Sequence, residues 1–158
     1  MEAEAIRIMI ASPRSFPTPL HACLFTEPSL LECFRHLEAA HGELRAAMST
    51  AGEPTAALLG RFAVEEPTAD GDEVWRRLIE TAAQRQLKES DRAIHLFPER
   101  FAEIESERLS VRRAIQELRA VRDPEAARTA GELLLGWLIE GEPGETMNRT
   151  TDQVSTPG

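Results

Sequence analysis

Five of the chain's six histidine and cysteine residues fall within one short segment: His21, Cys23, Cys33, His36 and His41. Imidazole nitrogen and thiolate sulfur are the usual ligands of tetrahedral zinc. Cys33 and His36 stand three apart, a separation that places two side chains on one face of a helix. His21-x-Cys23 lies just upstream, on a chain that can fold back toward that face. This makes His21, Cys23, Cys33, His36 and His41 a candidate metal set, although their spacing follows no standard zinc signature. The competing reading is that the two cysteines are small buried apolar residues and that His36 is exposed. Cys33 with His36 as a nucleophile–base pair lacks a third group to orient the base.

The second chemical feature is a set of cations on strongly helical sequence. Residues 87–98, LKESDRAIHLFP, end a charged run in an apolar stop. Further on, Phe101, Ile104, Arg108, Val111, Ile115 and Leu118 alternate spacings of three and four, so one guanidinium intrudes on an apolar seam. A buried guanidinium needs compensation. Asp91, Glu105 and Glu132 are the acids expected to supply it, or the head reaches water along its stem. The alternative is a small anionic ligand held by the fork of donors that arginine presents.

The elements that would carry these residues read as helices. The chain has 158 residues, 42% hydrophobic and 28% charged, with six Phe, two Trp and no Tyr, which predicts one soluble helical domain with little sheet. Its net charge of −9 and the lack of a basic aromatic stripe argue against nucleic acid as a partner. No apolar run approaches a membrane span or a signal peptide. The expectation is therefore no membrane, a cytoplasmic location and reduced cysteines.

IRIMIA at 6–11 reads as a short strand or an apolar cap, and Pro13, Pro17 and Pro19 hold the chain extended to about residue 20. Leu30, Phe34, Leu37, His41, Leu44 and Met48 continue the alternation of four and three, predicting one helix from about 28 to 51 with His41 as the only polar member of its seam. A short helix or turn is expected over 54–63. Long helices are expected over about 72–95, 99–121 and 124–140, the last opened by Asp123-Pro124. Trp75 and Trp137 read as core anchors. Residues 143–158 lack apolar periodicity and read as a flexible tail. The predicted fold is all-α: a four-helix up-down bundle over 28–142, preceded by an extended N-terminal segment over 1–27.

The Leu96-Phe97-Pro98 stop, with His41-Gly-Glu-Leu-Arg45 before it and Glu107-Arg108 after it, resembles the hemerythrin-like (HHE) domain family over residues 28 to about 142. The resemblance implies a four-helix bundle that holds two irons for oxygen binding, sensing or iron–sulfur repair. The departures decide the expected chemistry. Counting from Leu-Phe-Pro, Lys88 and Arg92 stand where the family places His and Glu. Arg108 replaces the histidine of the third helix, and Trp137 and Gly141 replace the last pair. Lysine and arginine have no lone pair to give a metal. The resemblance thus implies a module with no usual di-iron site, whose ligand set would be His41, Lys88, Arg92, Arg108 and Trp137. The expected role is binding, sensing or regulation without catalysis and without a cofactor, through a protein partner, a homodimer contact or a small anion. The alternatives are an iron or zinc protein, and a helical adaptor or chaperone.

Overall fold

A computed structural model describes residues 1–96, 98–120 and 122–141, and among these it contains seven α-helices and no strand. They are α1 (Glu2–Ala11), α2 (Pro28–Ala39), α3 (Leu44–Thr50), α4 (Glu53–Val64), α5 (Gly71–Leu96), α6 (Phe101–Arg119) and α7 (Pro124–Glu140). Single 3₁₀ turns lie at Pro13–Ser15, Ala22–Leu24 and Pro98–Arg100. The expected tail at 143–158, and Phe97 of the Leu-Phe-Pro stop, lie outside the described residues. None of the described helices is long and apolar enough to cross a membrane.

The three C-terminal helices run up, down and up. Arg108 of α6 pairs with Asp91 of α5, and Arg119 with Glu80, so positions that rise along α6 fall along α5. Along α7 the order is restored, with Gly131 against Trp75 and Gly141 beside Gln86. The bounds expected for these three helices hold to within a few residues at each end. Proline at the first position of α7, with the Asp123 side chain accepting from the Ala126 N–H at 3.1 Å, sets that helix start.

The N-terminal half departs from expectation twice. Residues 2–11 are not a strand, nor part of an extended segment over 1–27, but helix α1, whose Ala5 and Ile6 are fully buried against the core. Glu2 and Glu4 stand in its first turn, where a helix favours acids. Each also fixes another connection. The Glu2 carboxylate accepts from the Thr26 N–H at 3.0 Å and the Glu27 N–H at 3.1 Å, just before α2. Buried Glu4 accepts from the Thr68 and Ala69 N–H groups just before α5, and from Arg7.

The second departure is that the predicted helix from 28 to 51 is broken. It stops at Ala39 and resumes as α3 at Leu44. His41 has φ 52° and Gly42 has φ 82°. The Gly42 N–H reaches the Leu37 carbonyl at 2.7 Å and the His41 N–H reaches that of Glu38 at 3.0 Å. This pair of bonds is a Schellman stop in which His41 takes the left-handed position usually given to glycine, and Gly42 follows it. The seam spacing carries on through His41, but the backbone does not.

One continuous core joins the two halves. Helices α1, α2 and α4 contribute Ile6, Phe34, Leu37, Leu59 and Phe62, and α5 contributes Val74, Trp75 and Ile79. Helices α6 and α7 close the other side with Val111, Ile115, Leu118, Leu134 and Leu138. Helix α2 packs on α1, α3 and α4.

Candidate functional site

The candidate site is a ligand-sized groove of about 450 Å³ between the segment after α1 and the last turn of α2. The first wall is Met9, Pro13, Phe16, Pro17, Thr18, Pro19 and Leu20. Three prolines restrict the backbone there, so little ordering remains when a ligand arrives. The wall is tied down by Trp75, whose fully buried indole N–H donates to Thr18 Oγ1 at 2.9 Å. The second wall is Phe34, Leu37, Glu38, His41 and Gly42. Leu20, Phe34 and Leu37 belong to the core, which makes the floor apolar and fixed. Glu38 and His41 are the ionisable groups at the rim, and both are exposed.

The five His/Cys residues do not converge. His21 Nδ1 accepts from the Cys23 N–H at 3.3 Å and caps the turn at Ala22–Leu24. His36 Nδ1 lies 3.2 Å from Thr50 Oγ1 on α3. Cys33 is fully buried, and His41 stands on the groove rim. Among the described residues no three His, Cys, Asp or Glu side chains form a group that could hold a metal ion, so the zinc alternative lacks its geometry. Burial, with Glu32 and Glu27 adding to it, pushes the Cys33 thiol up to about 11. A thiol held there is a poor nucleophile at neutral pH.

The set His41, Lys88, Arg92, Arg108 and Trp137 is not brought together either. Lys88 and Arg92 are exposed on α5 instead of facing the interior. Arg108 is buried, and its guanidinium is shared between Asp91 of α5 and Glu105, the latter at 3.1 Å. Its Nε is buried without a hydrogen-bond partner. Trp137 is half-buried, and its indole N–H donates to Glu107. None of Lys88, Arg92, Arg108 and Trp137 lines the groove or the smaller hollows of about 380 and 330 Å³ on either side of Arg85. Two carboxylates, Asp91 and Glu105, engage the terminal nitrogens of Arg108, the compensation by acids that was the first of the two expectations for this guanidinium.

Sequence reasoning missed Met9, Phe16, Phe34 and Glu38 as groove residues. The proline spacing at 13, 17 and 19, with apolar residues between, was the available signal for one wall. Nothing local pairs that wall with the end of α2. No protein-family model, no curated protein and no solved structure matches this chain.

Proposed function

We propose that this chain is a binding or regulatory module without catalysis of its own, and that it engages its ligand or partner through the groove between residues 13–20 and the end of α2. One observation carries the reading: an apolar, proline-walled concavity of about 450 Å³ whose lining includes a few polar groups, Thr18, Glu38 and His41. That is the form of a small-molecule or side-chain site. The reading is also supported by what the nucleophile candidate does, since Cys33 is sealed in the core.

Descent from a hemerythrin-like bundle is part of the proposal. In its favour are the short connections from α5 to α6 and from α6 to α7, with α2 counted as the fourth helix of an up-down bundle. Arg108, a cation buried where the resemblance places a third-helix histidine, fits the loss of a di-iron site.

The test is a fragment screen on the full chain by ¹⁵N–¹H correlation spectroscopy. Apolar fragments are expected to shift the amides of Met9, Phe16, Leu37 and Gly42 together. Phe16→Ala, which removes part of a half-buried wall, is expected to weaken that response while leaving the far-ultraviolet spectrum unchanged. Shifts that cluster elsewhere, or none at millimolar fragment, would sink the reading.

A further inference from the structure

From the charge around this groove we infer the class of its ligand: a small organic cation, an apolar body with a protonated amine at one end. The inference rests on the groove being the binding site.

Some helical acids of the chain are paired with helical bases one turn away. Examples are Glu32 with Arg35, Asp72 with Arg76, Glu73 with Arg77, Glu117 with Arg113 and Glu132 with Arg128. Glu38, like Glu53, Glu89 and Glu125, is outside these pairs, and of these four it alone lines the groove. Its neighbours one turn away are Phe34, Arg35, His41 and Gly42, and Arg35 is engaged with Glu32 at 3.3 Å. Among the described residues the Glu38 carboxylate has no ion pair and no side-chain hydrogen bond. No described lysine or arginine lines the groove.

Glu38 also stands in the last turn of α2, beside carbonyls that carry the negative end of the helix dipole. An acid in that position is disfavoured within the helix. A ligand cation seated on the groove rim would meet both charges at once. An anion would meet only repulsion, apart from His41. The apolar floor of Leu20, Phe34 and Leu37 takes the body, and the rim at Glu38 takes the head.

The test measures dissociation constants of 2-phenylethylammonium and of its neutral counterpart 2-phenylethanol, by chemical-shift titration of the full chain and of Glu38→Gln. Comparing the two probes on both proteins cancels the contribution of the shared ring. The cation is expected to bind about three-fold tighter than the alcohol on the native chain, an exposed-pair effect. That preference is expected to fall in Glu38→Gln to the small part that the helix end supplies, to shrink with added salt, and to persist in Glu43→Gln, whose carboxylate is outside the groove. Equal preference in native chain and Glu38→Gln would overturn the ligand class while leaving the groove as the site. If neither probe moves groove amides, both the ligand class and the site fail. The blocked dipeptide Phe-Lys tests a protein segment as occupant. Affinity no better than that of the amine supports the small cation, and affinity more than about ten-fold tighter would overturn it in favour of a partner chain.

Discussion

Gly131 lies so close under Trp75 that a Cβ at this position would fall 2.1 Å from the ring atom Cη2. The two residues sit on α7 and α5, so the missing side chain is what lets the largest core residue wedge between the halves of the protein. Gly131→Ala is expected to destabilise the fold. Overpacking costs about 1–3 kcal/mol, and the roughly 1 kcal/mol that alanine gains in a helix offsets only part of it. Gly136 is the control, on the same helix, where an added Cβ would meet nothing within 4 Å. Gly136→Ala is expected to raise stability by about 1 kcal/mol. Urea unfolding of the two variants checks the difference in sign, and two stabilising substitutions would disprove the wedge.

Arg108 illustrates how a cation enters an apolar seam. Its side chain is 10% exposed, while Asp91 is 55% exposed and Glu105 is 33% exposed. The carboxylates therefore remain partly solvated, and their contribution is smaller than that of a sealed pair. Asp91→Asn combined with Glu105→Gln is expected to cost about 1–3 kcal/mol, because a buried guanidinium is left alone. Arg108→Leu is expected to be near neutral or stabilising. The same two acid substitutions made in the Arg108→Leu background are expected to cost almost nothing. A cost that survives the loss of Arg108 would show that Asp91 and Glu105 act through something else.

The turn after α2 offers a sharper local test. His41 adopts φ 52°, a conformation that disfavours side chains other than glycine. His41→Gly is expected to stabilise the chain by about 0.5–1 kcal/mol. Gly42, at φ 82°, is expected to lose about 1 kcal/mol on substitution by alanine. Thermal melts of the two variants should move in opposite directions. A His41→Gly variant that melts lower would mean that the imidazole makes a contribution larger than the backbone strain.

His41 also marks where the sequence stops being legible. Helices α5, α6 and α7 were readable because apolar residues at three-and-four spacing persist over several turns between clear proline or aspartate boundaries. The break between α2 and α3 was not, because His41 happens to occupy a seam position and only Gly42 signals the stop. Helix α1 was ambiguous because a short apolar run has no decisive period. Of the three acids that charge balance offers Arg108, Asp91 and Glu105 are its partners, while Glu132 pairs with Arg128 one turn away on its own helix. Lys88 and Arg92 were placed inward by counting from Leu-Phe-Pro, and the helix phase turns them outward instead. The groove joins residues some twenty positions apart through a backbone reversal that no local pattern encodes.

Glu4 links fold stability to pH. Burial pushes its carboxyl up, but the Thr68 and Ala69 N–H groups, Arg7 and the Thr68 hydroxyl together outweigh that and hold it below its ordinary value of 4.5. A carboxylate whose folded value is depressed stabilises the fold fully above its unfolded value, and that stabilisation fades as pH falls through the folded one. Glu4→Gln keeps an acceptor for the two N–H groups but loses the charge and turns an amide toward Arg7. It is expected to cost about 1–2 kcal/mol at pH 7. The gap between native and variant stability should stay level down to about pH 5 and narrow below 4.5. Taking the difference between the two proteins cancels the other carboxylates, provided that they titrate alike in both. Urea midpoints measured from pH 7 to pH 3 provide the check. A gap that keeps its full size at pH 3 would mean that Glu4 contributes through shape and neutral hydrogen bonding, and not through its charge.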